Sequence, residues 1–145
     1  MNSALTSVLT RSIRRVVGAA LMLLCASARA DVVIYTDAGH PATVADEHTR
    51  VVILDAPQQL QDRLFGTLPE EPEAAAQAAQ DVLSAPDWQE SEQRLAKAYR
   101  GVLDAWQLGL SRYPSVVFDG QYVVYGTASE SEARTRFEQW QEANR

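Results

Sequence analysis

The chain has 145 residues, with 13 lysines and arginines, 19 aspartates and glutamates, and a net charge of −6. Residues 1–30 contain four of the arginines and no acid, so residues 31–145 hold nine basic and 19 acidic side chains, a net charge of −10. That charge disfavours nonspecific binding to nucleic acid and to anionic lipid. The only cysteine is Cys25, so residues 31–145 exclude a redox cysteine pair, a cysteine nucleophile and a thiolate metal site.

The N-terminal residues have the pattern of a secretory signal peptide. Three arginines precede the apolar run 16–28, and the small-x-small motif Ala28-Arg29-Ala30 follows it. The run is shorter than the roughly 20 apolar residues that a membrane-spanning helix needs. We therefore expect residues 1–30 to be a signal peptide that is cleaved before Asp31. The product is then a periplasmic protein with one domain, residues 31–145, and no stable membrane insertion.

Two alternatives concern the same N-terminal segment. One is an uncleaved membrane anchor. The other is a lipoprotein modified at Cys25, which Leu24 disfavours because lipoprotein signals place a small residue immediately before the cysteine.

Residues 32–36 and 51–55 are runs of β-branched and apolar residues that predict two strands. Both runs are continuous rather than alternating, which is typical of strands buried on both faces. Residues 37–41 break the first strand, and a short, weakly patterned segment leads to the second. Two buried strands joined by a crossover indicate a parallel pair.

Three helices are predicted between the second and third strands. Asp55 caps the first, which has Pro57 in its first turn and ends at Gly66. An alanine-rich helix covers residues 73–83, and the longest covers about residues 87–109. An apolar stripe on the long helix predicts a core-facing side, with a ligand groove as the alternative; its residues are Leu95, Tyr99, Val102, Trp106 and Leu110.

The C-terminal part predicts a hairpin and one more helix. A third strand covers residues 115–118, and the turn signal Asp119-Gly120 leads to a returning strand at 121–125. Ser129 and Glu132 have the spacing of a capping box for the last helix, about residues 130–143. The order predicts an α/β fold: a mixed four-stranded sheet with an enlarged helical segment between strands two and three.

This order of elements is similar to the thioredoxin-like fold. Tyr113-Pro114, just before the third strand, resembles the proline of that fold, which is usually cis. His40-Pro41-Ala42-Thr43, just after the first strand, resembles a C-P-x-C redox motif from which both cysteines are gone. The resemblance therefore implies a degenerate thioredoxin-like domain in which oxidoreductase activity is not retained.

A second resemblance spans most of residues 31–145. Five segments, in order, resemble a family of small exported proteins encoded in integrating conjugative elements; they begin at Val33, Val52, Ala98, Tyr113 and Tyr122. That family implies a role in conjugative DNA transfer, beside the type IV secretion apparatus, with no known enzymatic activity.

Four residues are predicted to bind a protein partner: His40, Pro41, Tyr113 and Pro114. In the thioredoxin-like fold, backbone beside the cis proline pairs with extended peptide, and loss of the cysteines leaves that groove in place. If Pro41 starts a helix, its free amides face an acidic group of the partner.

Other titratable residues predict no catalytic or metal site. His40, near Asp37, has the chemistry of a base or ligand, but a lone histidine beside Gly and Pro is more often a loop residue. His48, Asp46 and Glu47 match no trusted zinc spacing, so we expect a solvated loop.

The sequence thus predicts a non-enzymatic periplasmic accessory protein that binds or chaperones a protein component of the conjugative transfer apparatus. It predicts no cofactor and no direct contact with nucleic acid. One alternative is an enzyme of a non-thiol class centred on His40. The other is a decoy docking domain for an envelope thiol oxidoreductase.

Overall fold

A computed structural model describes residues 31–145, which contain four strands and four helices. The strands are β1 (Val32–Thr36), β2 (Arg50–Ile53), β3 (Ser115–Phe118) and β4 (Tyr122–Tyr125). The helices are α1 (Ala56–Phe65), α2 (Pro72–Leu83), α3 (Trp88–Gln107) and α4 (Glu130–Ala143). The predicted signal peptide lies outside the described residues. Within them, no helix combines the length and the apolar character needed to cross a membrane.

The four strands form one mixed sheet in the order β2-β1-β3-β4. β1 pairs in parallel with β2 and antiparallel with β3, and β3 and β4 form an antiparallel hairpin. The parallel pair, the hairpin and the helical segment α1–α3 between β2 and β3 confirm the predicted α/β arrangement. The crossover between β1 and β2, residues 37–49, contains no helix.

The two central strands are buried and the edge strand β2 is not. Every residue of β1 and β3 is buried, because each has a strand on both sides and helices cover the two faces, α3 at Val117 and α4 at Phe118. In β2, Arg50 and Val51 are exposed, so the prediction that this strand is buried on both faces is wrong. β2 also ends at Ile53, before the predicted residue 55, because the chain turns there into α1.

α3 contacts the sheet through small residues rather than through the predicted apolar stripe. Ala105 is buried against Val33, Tyr35 and Val117. Trp106 is one residue, or about 100°, further around the helix and is 77% exposed. The stripe is therefore core only in part.

Gly101 sets how closely α3 approaches β2. A Cβ atom placed on Gly101 would lie 2.7 Å from Cγ1 of Val52, a distance that real Cβ atoms do not reach. The β-branched side chain of Val52 packs on the core, so it has little freedom to move away.

We expect Gly101→Ala to lower the free energy of unfolding by about 1–2 kcal/mol, because overpacking outweighs the better helix propensity of alanine. Urea unfolding followed by circular dichroism measures this. Ala96→Gly, on the exposed side of α3, reports the propensity effect alone. A Gly101→Ala variant more stable than the parent protein would contradict the steric argument.

Candidate functional site

The four predicted partner-binding residues lie in two segments at one end of the sheet. Tyr35 of β1 is opposite Ser115 of β3. The chain that leaves β1 and the chain that enters β3 therefore emerge at the same end, which places the His40-Pro41 loop and Tyr113-Pro114 there together.

Tyr113 and Pro114 lead directly into β3. The bond between them is cis, as the resemblance to the thioredoxin-like fold implies. The carbonyl oxygen of Pro114 accepts a hydrogen bond from the Gly126 N–H at 2.8 Å, so β4 holds the start of β3 in place. The Tyr113 side chain is 53% exposed. This end of the sheet therefore presents a half-exposed aromatic ring on a fixed backbone.

The loop that follows β1 is ordered by side-chain contacts. The buried Thr36 hydroxyl donates to the His40 carbonyl oxygen at 2.5 Å. Asp55 occupies the predicted N-cap position of α1, but its carboxylate makes no cap bond; it accepts from the Ala38 N–H at 3.2 Å instead. The loop is thus tied to the end of β1 and to the turn between β2 and α1. No helix begins at Pro41, so the predicted free amides of a helix N-terminus are absent there.

His40 forms an exposed ion pair with Asp37 and is not part of an enclosed site. Its Nδ1 atom lies 2.6 Å from Oδ1 of Asp37, and its side chain is 56% exposed. The hydrogen bond from His40 lowers the pKa of the Asp37 carboxyl. His48 and Asp46 form a similar pair at 2.8 Å. Within residues 31–145, no group of three His, Cys, Asp or Glu side chains is arranged to hold a metal ion.

The second half of the crossover is held by Glu130, the first residue of α4. Its side chain is 1% exposed. Oε2 accepts three hydrogen bonds, from the Ala45 N–H at 2.9 Å, the Asp46 N–H at 3.1 Å and the Thr49 hydroxyl at 2.8 Å. Oε1 accepts from Arg134 at 2.8 Å. The carboxylate therefore joins residues 45–49 to the start of α4.

The pKa of Glu130 reflects two opposing effects. Burial favours the neutral form and acts to raise it, but the hydrogen bonds from Arg134, Ala45, Thr49 and Asp46 together outweigh burial and lower it. Two backbone hydrogen bonds join the same parts of the chain, and we call them, together with the Glu130 carboxylate, the Glu130 clamp. The Thr43 N–H donates to the Ala128 carbonyl and the Glu130 N–H donates to the Thr43 carbonyl, both at 2.9 Å.

Glu130 is a key residue that the sequence did not predict. The capping-box spacing of Ser129 and Glu132 drew attention to the helix start, and the Ser129 hydroxyl does accept from the Glu132 N–H at 3.4 Å. An acid in a first helical turn is ordinary, so nothing local distinguishes Glu130 from its neighbours. The i,i+4 partner Arg134 is the one signal in the sequence, and it does not reveal burial.

We expect Glu130→Gln to lower the free energy of unfolding by about 2–4 kcal/mol at pH 7, because either orientation of the amide puts its NH₂ group against a hydrogen-bond donor. Chemical denaturation measures the loss, and the exposed Glu138→Gln on the same helix is the control.

The free energy of unfolding that Glu130→Gln loses relative to the parent protein should depend on pH. Because folding lowers the pKa of Glu130, its stabilisation is complete above the unfolded value of about 4.3 and is lost as pH falls through the folded value. The difference between variant and parent protein should therefore shrink in acid. A deficit that stays constant from pH 7 to pH 3 would contradict the role given to the charge.

Ser115 carries a buried hydroxyl with nothing to bond. Among the buried side-chain nitrogen and oxygen atoms of residues 31–145, its Oγ is the one without a hydrogen-bond partner. We expect Ser115→Ala to raise the free energy of unfolding by about 1 kcal/mol, because it removes an unpaired polar group. Thermal and urea unfolding measure this. Thr36→Val, which removes a paired hydroxyl, should be destabilising; loss of stability in both variants would mean that Ser115 has a partner.

Comparison with known proteins gives a family. A family model described as protein of unknown function, DUF1525, matches residues 29–143. No curated protein and no solved structure matches the chain. Because the matched region covers more than half of the chain, the protein belongs to the DUF1525 family of proteins of unknown function.

Proposed function

We propose that this protein is a non-enzymatic accessory protein of conjugative DNA transfer. It acts in the periplasm and binds or chaperones an envelope protein of the type IV secretion machine. The resemblance of its segments to exported proteins of integrating conjugative elements supports the cellular context. The mixed sheet, the helical insertion between β2 and β3 and the proline at the start of β3 support a degenerate thioredoxin-like domain.

The observation that carries the binding role is the convergence of two segments at one end of the sheet. The register of β1 and β3 places the His40-Pro41 loop and the half-exposed Tyr113 there. In the thioredoxin-like fold, backbone beside the cis proline pairs with extended peptide in strand fashion. The Pro114 carbonyl is already bonded to Gly126, so the pairing groups assigned here are those of Tyr113. The partner surface is therefore assigned to His40, Pro41, Tyr113 and Pro114.

Two features favour binding over catalysis at this surface. Residues 31–145 contain no cysteine, so thiol chemistry is excluded there. The alternative enzyme centred on His40 requires an enclosed polar site, whereas the His40 side chain is more than half exposed and pairs with Asp37. The net charge of −10 in the same residues also disfavours direct contact with DNA.

DNA-transfer frequency from a donor that lacks the gene tests the cellular role. A large loss of transfer that a plasmid copy restores is the expected result. Unchanged transfer in the deletion strain would overturn the proposal, provided that the parent donor yields transconjugants in the same experiment.

Tyr113→Ala tests the assigned surface in the same assay. We expect the variant to restore transfer poorly while its free energy of unfolding stays within about 0.5 kcal/mol of the parent protein, as is usual for an exposed side chain. Tyr99→Ala, which removes another exposed tyrosine, should restore transfer fully. Full restoration by a folded Tyr113→Ala variant would remove this end of the sheet from the proposal.

A further inference from the structure

Two cavities lie between α3 and its neighbours β2 and α1, and neither lining includes a residue of the Tyr113 surface. One cavity of about 300 Å³ lies between β2 (Val51, Val52, Ile53) and the α3 residues Arg94, Lys97, Ala98 and Gly101. A second, of about 380 Å³, lies between α1 (Leu60, Arg63, Leu64) and the α3 residues Ser91 and Arg94. Arg94 lines both cavities, and we call the two together the β2-edge groove.

The backbone of β2 offers unpaired hydrogen-bonding groups to this groove. β2 is an edge strand, and the Leu54 N–H that follows it donates to Thr36 of β1 at 2.7 Å. Because N–H groups alternate in direction along a strand, those of Val51 and Ile53 point away from β1. No other strand of residues 31–145 pairs with that side of β2, and Val51 is 40% exposed.

The charge of the groove is opposite to that of the protein. Three of the nine basic residues of positions 31–145 line it, namely Arg63, Arg94 and Lys97, and no aspartate or glutamate does. Arg94 is paired with Glu90 on α3, whereas Lys97 makes no ion pair within the described residues. A chain with a net charge of −10 in this region thus places a cationic, mostly apolar groove beside an open strand edge.

We propose that the β2-edge groove binds an extended acidic peptide segment of a partner protein, which adds to the sheet as a fifth strand next to β2. Outward N–H and C=O groups of Val51 and Ile53 pair with the peptide backbone, and Arg94 and Lys97 contact its carboxylates. Apolar side chains of the peptide enter the cavities. The site is separate from the Tyr113 surface and does not depend on the proposed role in DNA transfer.

The opposite edge of the sheet fits such a peptide less well. Arg136 of α4 donates to the Tyr125 carbonyl of β4 at 3.3 Å, so part of that edge is already bonded. The cavity beside β4 is lined by Tyr122, Phe137 and Trp140 and has a single basic residue, Arg136, whereas the β2-edge groove has three. Local charge therefore favours β2.

The probe is a fluorescein-labelled, N-acetylated peptide of four Val-Glu repeats. Its binding to the protein, used as residues 31–145, is measured by fluorescence anisotropy. We expect saturable binding to the parent protein and at least about tenfold weaker binding of the matched Val-Lys peptide. A Pro-Glu peptide of the same length and charge should bind poorly because proline has no N–H to donate. Equal binding of the Val-Glu and Pro-Glu peptides, or no binding of the Val-Glu peptide, would overturn the proposal.

Two variants locate the site. Lys97→Glu should weaken binding of the Val-Glu peptide by about tenfold, whereas Arg145→Glu, with the same change in net charge, should leave it unchanged. Val51→Pro removes an outward N–H that an edge strand can lack without losing its ladder, and it should also weaken binding. Because Val51→Pro can fail to fold, Lys97→Glu decides the outcome; wild-type affinity in that variant would contradict the proposal.

Amide hydrogen exchange by NMR identifies the bonded groups directly. Saturating Val-Glu peptide should slow exchange at Val51 and Ile53 and leave positions on the opposite edge strand β4, such as Val123, unchanged. Protection at β4 instead, or formation of a dimer by sedimentation without protection by peptide, would show that the edge serves another purpose and would overturn the assignment. Tyr113→Ala should bind the peptide normally, so failure of this proposal is distinguishable from failure of the proposed function.

Discussion

The buried carboxylate of Glu130 is the interaction on which the arrangement of the crossover depends. A crossover between parallel strands usually contains a helix, which satisfies its own backbone groups. Residues 37–49 contain none, so their N–H groups need partners elsewhere. Glu130 supplies an acceptor for two backbone N–H groups and the Thr49 hydroxyl. Burial of its charge is compensated by these donors and by Arg134, so the segment before β2 is fixed by α4, distant in sequence.

The pairing of β1 with β3 and the bonds made by Thr36 and Asp55 define the Tyr113 end of the sheet. The first half of the crossover is held by Thr36 and Asp55, and the second half by Glu130. Residues 45–49 lead into β2 at the opposite end of the sheet, so both ends of the crossover are fixed to the domain. A fixed backbone lowers the conformational entropy lost when a partner binds, which suits this end of the sheet to the proposed role.

Local patterns in the sequence predict the elements, the parallel pair β1–β2 and the hairpin β3–β4, but not which faces are covered. The apolar runs, the Asp119-Gly120 turn and the Ser129 cap act within a few residues, and the strands, the hairpin and the helix start that they predict are present. Burial of β2 failed because composition cannot distinguish an edge strand from a central one. The prediction that the whole stripe on α3 faces the core was wrong because the helix approaches the sheet through the small residues Gly101 and Ala105. Trp106 is therefore left exposed to solvent. The burial of Glu130 was not predicted because its partners in the crossover, Ala45, Asp46 and Thr49, are more than 80 residues away.

The free edge of β2 also has to avoid pairing with a second copy of the chain. Antiparallel pairing of two β2 strands would bring the cations of both grooves together, and each copy also carries a net charge of −10 over residues 31–145. Both the local and the overall repulsion oppose self-association, a form of edge protection that other sheet proteins achieve with inward-pointing charges. An acidic strand from a different protein meets the local cations with the opposite sign. The residues that disfavour a homodimer therefore favour an acidic segment of another protein at close range. At longer range the net negative charge of the domain repels acidic proteins, so the acidity of the partner has to be confined to that segment.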